Sequence, residues 1–124
     1  MSTPAMRAFM ESTSGIDSET AAAARAFIEK VASRYDLAGA ILFGSRARKA
    51  YRPNSDADVA VLLHGSPGKF VATKLAMADL AYDVLLATGI RIQPLPIRED
   101  EWAHPETYSN PRLLRNIERE GIRL

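Results

Sequence analysis

The chain has 124 residues, 47% of them apolar and 25% charged, which suits one compact domain with a real hydrophobic core and excludes wholesale disorder. Sixteen Lys and Arg stand against fifteen Asp and Glu, a formal net charge of +1, so bulk charge gives no drive toward nucleic acid and any anion site has to be local. With no Cys and two His, disulfides, thiolate metal sites and thiol nucleophiles are excluded, and no apolar segment suits a signal peptide or a membrane span, which makes the cytoplasm the expected compartment.

In chain order, residues 1–16 show no clear period and read as a flexible N-terminal arm, leaving residues 17–124 as a single domain. In "DSETAAAARAFIEKVASRY", Asp17 or Ser18 can cap a helix of Ala-rich helix formers, with Ala24, Phe27, Ile28 and Val31 at helical spacing. "LAGAILFGS" is an apolar run closed by Gly44, the pattern of a buried strand entering a tight turn, and "SRARKAY" can begin a short helix. Pro53 and Asn54 break the chain. "DADVAVLL" reads as a second strand whose first residues alternate faces, so Asp56 and Asp58 share one. After the turn-forming "HGSPG", the stretch "KFVATKLAMADLAYDVLLAT" sets Val71, Leu75, Ala78, Tyr82 and Leu85 at helical intervals, with Gly89 as its C-terminal cap. "IRIQPLPI" is a third strand that its prolines confine to an edge, an end or a bulge. The tail "NPRLLRNIEREGIRL" offers Asn110 as N-cap, Pro111 as first helical residue and Gly121 as the stop. This order of elements predicts an α/β fold, a small sandwich with helices packed on a short mixed sheet.

The chemistry concentrates in "GSRARKAYRPNSDAD". Gly44 lets the backbone approach a phosphate closely, and Ser45 with the following N–H groups supplies donors, although a Gly-Ser turn also serves as an ordinary helix cap. Asp56 and Asp58 on one strand face can share Mg²⁺, which takes oxygen ligands and bridges to substrate phosphates; alone, such a pair is also just a polar turn feeding a strand. Arg46, Arg48, Lys49 and Arg52 between them put positive charge beside the proposed anion site.

This pattern, GS, ten residues, then DxD, resembles the signature of the polymerase-beta-like nucleotidyltransferase superfamily, and the small chain is most similar to its minimal nucleotidyltransferase (MNT) branch, antitoxin-type proteins paired with HEPN partners. The resemblance covers about residues 37–97. It implies that Gly44 and Ser45 hold the triphosphate, that Asp56 and Asp58 are the catalytic, metal-binding carboxylates, and that Arg46 and Arg48 contact phosphate. It implies Mg²⁺ as cofactor, ATP as substrate, and transfer of AMP to a hydroxyl with pyrophosphate leaving. With no residues left for the extra domain that larger relatives use on small molecules, the acceptor it points to is a tyrosine of a HEPN toxin partner, which makes the chain an antitoxin.

One departure bears on this expectation. Active members of the family usually carry a third carboxylate on the strand corresponding to "IRIQPLPI", where this chain has Gln93 and Arg91 on one face and no acid. An amide cannot act as a general base. Glu99 or Asp100 reaching in from the strand end is one substitute. The alternatives are an antitoxin that binds its partner without transfer, and a small-molecule nucleotidyltransferase whose groove is shared between copies in a homo-oligomer. "GSPGK" has glycine spacing too short for a P-loop and reads as a turn, and His64 and His104 lack a linking carboxylate motif. Trp102 and Tyr108 are expected to anchor the tail, and Leu113, Leu114 and Ile117 to pack on the domain or form a docking stripe.

Overall fold

The computed structural model describes residues 16–48, 52, 54–65 and 70–124. The arm expected over residues 1–16 lies outside them except for Ile16, which packs half-buried against the core, and most of the "GSPGK" turn lies outside them too. Helix α1 spans Ser18–Ala32; the Asp17 carboxylate caps it by accepting from the Thr20 N–H at 3.0 Å. Glu19 in the first turn and Lys30 in the last complement the helix dipole. Thr20, Ala23, Ala24, Phe27 and Val31 form its buried stripe, at the spacing of one helical face.

Strands β1 (Leu37–Phe43) and β2 (Ala57–Leu63) pair antiparallel, with Phe43 opposite Asp58. Helix α2 (Phe70–Thr88) then crosses over to β3 (Ile92–Arg98), which runs parallel to β2, as a parallel pair requires. A short helix α3 (Glu99–Ala103) and a 3₁₀ turn (Pro105–Thr107) lead to helix α4 (Pro111–Glu120), capped by Asn110 with Pro111 at its first position. Strand β4 (Ile122–Arg123) closes the sheet in the order β3-β2-β1-β4. β3 is therefore an edge. Its Pro94 and Pro96 lie two apart, so their missing N–H groups fall on one side of the strand, and the unbroken ladder to β2 makes that the outer side.

Alternating side chains give the sheet two apolar faces. Leu42, Val59 and Val61 pack under α1 and α2 against Phe27, Met77 and Val84. Ile41, Ala60, Leu62 and Ile97 pack under Leu114 and Ile117 of α4, with Trp102 and Tyr108 at the margin, so the tail is anchored as its spacing predicts. The result is helices, sheet and helix in three layers.

The structure adds detail that the sequence left open. Of the stretch 45–51, read as able to begin a short helix, residues 45–48 form a turn, closed by the Arg48 N–H on the Gly44 carbonyl at 3.2 Å, and residues 49–51 lie outside the described residues. The stripe Val71, Leu75 and Tyr82 faces outward, 65%, 64% and 58% exposed, while Met77, Leu80, Ala81 and Val84 face the sheet. Both stripes have helical spacing, so periodicity could not choose between them. α3 and the two-residue β4 are too short to leave a sequence pattern.

Candidate active site

β1 delivers the chain to Gly44, whose φ of 77° lies in the left-handed region where a side chain is strained. The turn folds back onto β2 so closely that a β-carbon on Gly44 would collide with the Asp58 carboxylate. Ser45 follows, half-buried. Glycine is therefore demanded twice, by backbone conformation and by contact with an acid. The Gly-Ser turn and Asp58 are one unit in space.

Asp56 stands just before the first residue of β2, and its two neighbours are pinned. The Ser55 carbonyl accepts from Arg46 Nε at 2.9 Å, and the Ala57 N–H donates to the Arg91 carbonyl at 2.9 Å. Asp58 is flanked across the sheet by Phe43 on one side and Gln93 on the other, the latter in direct parallel register. Because paired residues of adjacent strands share a face, Gln93 occupies the sheet position beside Asp58 where the expected third acid would stand.

The Asp58 carboxyl is raised above the usual carboxylate range, first by burial, then by the charge of Asp56, with Arg48 opposing. Among the described residues neither Asp56 nor Asp58 belongs to an ion pair. Arg48 is exposed and lies 3.9 Å from Glu120, a contact of little energetic weight at a surface. Two adjacent carboxylates held against a backbone turn, one of them disfavoured as an anion, fit a divalent cation. Among the described residues no group of three or more His, Cys, Asp or Glu could hold a metal. A cation here would take these two acids and draw its remaining oxygens from water and a phosphate, the habit of Mg²⁺.

Of the residues expected at the site, Gly44, Asp56, Asp58 and Arg48 come together. Arg46 does not join them as expected: it is 3% exposed, with Nε on Ser55 and Nη1 on the Thr20 hydroxyl at 2.8 Å. Its side chain is built into the scaffold behind the turn. Glu99 and Asp100 cannot substitute for the missing acid, because they follow the far end of β3, roughly 20 Å from Gln93 at about 3.3 Å per residue. Glu99 contacts His64 there, and His104 lies 3.4 Å from Glu106. Sequence reasoning missed Thr20 and Ser55, which no motif marks.

A cavity of 590 Å³ between Tyr35, Leu63, Arg98 and Tyr108 is also at that far end. The paired acids and the left-handed turn at Gly44 put the candidate site at the other end.

Residues 24–124, well over half of the chain, match the family described as a nucleotidyltransferase domain. Among solved structures, the chain is similar to a crystal structure of a candidate nucleotidyltransferase from Sulfolobus solfataricus, with 22% identity, 88% of each chain covered and a TM-score of 0.48. The search of curated proteins gives no match.

Proposed function

From the premise that the chain belongs to the nucleotidyltransferase domain family, we propose that it transfers AMP from ATP to an acceptor hydroxyl, with Mg²⁺ held by Asp56 and Asp58. The observation that carries this reading is the acid pair itself. Asp58 is pressed against Gly44, destabilised by Asp56 and without an ion-pair partner among the described residues. Such an arrangement is costly in the empty protein and is relieved by a cation.

The Gly44–Ser45 turn receives the triphosphate, with Arg48 at its exposed rim. When bound, Mg²⁺ neutralises phosphate charge and polarises the α-phosphate. The acceptor oxygen bonds to the α-phosphorus as the bridging bond to the β-phosphate breaks, pyrophosphate leaves with the electron pair, and the hydroxyl proton passes to solvent. Gln93 cannot take that proton. The chain's own contribution is preorganisation: both acids are placed before substrate arrives, by the ladder at Asp58 and by pinned neighbours at Asp56.

For the acceptor, a tyrosine of a HEPN-type partner in the cytoplasm fits this reading best, with the chain acting as its antitoxin. The exposed Val71, Leu75, Tyr82 and Leu86 on α2 support a protein partner, since apolar stripes of this kind mark interaction surfaces. Gln93 beside Asp58 favours a second reading, in which the chain neutralises its partner by binding alone. Incubation with ATP, Mg²⁺ and the HEPN partner, followed by intact-mass analysis of both proteins, separates the two. An AMP-sized gain on the partner, lost when both acids become Asn, establishes transfer. A stable complex with no gain establishes binding alone.

A further inference from the structure

The structure assigns Arg46 as a positioning residue, which sets the geometry of Asp56 through a buried clamp running from the N-terminus of α1 to the chain entering β2. This inference rests on the reading of Asp56 and Asp58 as the cation site.

Four contacts build the clamp. Arg46 Nε donates to the Ser55 carbonyl at 2.9 Å, and Nη1 donates to Thr20 Oγ1 at 2.8 Å. Thr20 Oγ1 donates in turn to Asp17 Oδ1 at 2.6 Å, and the Thr20 N–H donates to Asp17 Oδ2 at 3.0 Å. The α1 cap, a wholly buried hydroxyl, a guanidinium 3% exposed and the carbonyl next to Asp56 thus form one chain of hydrogen bonds. Ser55 is held on its other sides as well, its N–H on the Arg52 carbonyl at 2.9 Å and its Oγ accepting from the Arg52 N–H at 3.0 Å.

Asp56 needs this help more than Asp58 does. Asp58 is inside β2 and gets its position from the ladders to Phe43 and Gln93. Asp56 precedes the strand, so its placement depends on the peptide groups either side of it: Ser55 is fixed by Arg46, and Ala57 by the Arg91 carbonyl. Buried charged hydrogen bonds of this kind hold geometry firmly because breaking one strands a charge away from water. The charges that bear on Asp58 are those of Asp56 and Arg48. Through the Ser55 carbonyl, Arg46 bears on the backbone entering Asp56, as outer-shell partners of metal ligands do, and its loss belongs with those that lower metal affinity about 10–100-fold.

The test compares Arg46→Met, Arg46→Lys and Thr20→Val with the unaltered protein, using Mn²⁺ with ATP as the probe. Thr20→Val keeps the shape of the side chain and removes the link far from any phosphate, so it remains informative if Arg46→Met fails to fold. Expected are a fall of about tenfold or more in Mn²⁺-ATP affinity for Arg46→Met and a smaller fall for Thr20→Val. Arg46→Lys recovers part of the loss, and metal-free ATP affinity stays unchanged throughout. In the metal-free protein, amide exchange across residues 55–58 speeds up in Arg46→Met and Thr20→Val, with the core unaffected. Unchanged Mn²⁺-ATP affinity and exchange in Thr20→Val overturn the clamp. So does an equal fall in metal-free ATP binding for Arg46→Met alone, which would make Arg46 a direct phosphate ligand. If the unaltered protein shows no Mn²⁺-ATP binding dependent on Asp56 and Asp58, the proposed function fails, while the exchange measurement still decides the clamp.

Discussion

The two ends of the paired strands β2 and β3 differ in how their charges are satisfied. At one end Asp56 and Asp58 repel each other beside a glycine in the left-handed region, and among the described residues neither has an ion-pair partner. At the other, Arg98 is matched with Glu101 at 3.2 Å, His64 contacts Glu99, and a cavity of 590 Å³ opens between them. Among the described residues the far end has fewer unmatched charges. Unsatisfied charge at a fixed backbone is a better guide to chemistry here than volume.

The comparison breaks most decisively at the acids. Replacing both Asp56 and Asp58 by Asn is expected to lower Mg²⁺-dependent ATP binding and any transfer by about 10²-fold or more, the scale of losing a central electrostatic group, with circular dichroism unchanged. Equal changes at the far end, such as His64→Ala with Glu99→Gln, should leave ATP binding unaltered in the same titration. Next in size is Gly44→Ala. The added carbon meets the Asp58 carboxylate at a φ of 77°, so a stability loss of about 1–3 kcal/mol is expected in urea unfolding, together with weakened ATP binding.

Gln93→Glu sharpens the comparison in the opposite direction, by adding an acid in register with Asp58. Mn²⁺ affinity should rise severalfold by paramagnetic titration, and transfer, if present, should quicken. The smallest effect concerns pH. Burial, and then the charge of Asp56, raise the folded pKa of Asp58 above the ordinary carboxylate range, so the folded state prefers the protonated acid. The stability this brings is complete below about pH 3.8 and is lost as pH rises through the raised value. At pH 7 without divalent cation, Asp58→Asn should therefore melt slightly higher than the unaltered protein. The gap should close on acidification and shrink when Mg²⁺ and ATP are added.

Much of this layout was legible in the residues. Gly44, the Asp pair and the edge-restricting prolines each carry a local physical signature, in backbone freedom, charge spacing and a missing N–H, and the structure places them as those signatures suggest, except that β2 begins at Ala57 and leaves Asp56 just ahead of it. The parallel pairing of β2 with β3, which brings Gln93 beside Asp58, follows from topology and leaves no mark in either strand. Arg46 and Arg48 look alike in "GSRARKA", yet one is buried and the other exposed. The partners that hold Arg46 inward, Ser55 nine residues later and Thr20 26 residues earlier, are distant in the chain. Which stripe of α2 faces outward is hidden for a related reason, since a helix apolar on two sides offers two equally periodic faces.

The most direct test of the site is an ATP-binding titration with and without Mg²⁺ on the unaltered protein and on the Asp56→Asn, Asp58→Asn double variant. Cation-dependent binding that disappears in a folded double variant is the result predicted. Equal binding by both proteins, or binding indifferent to Mg²⁺, would contradict the assignment of the two acids.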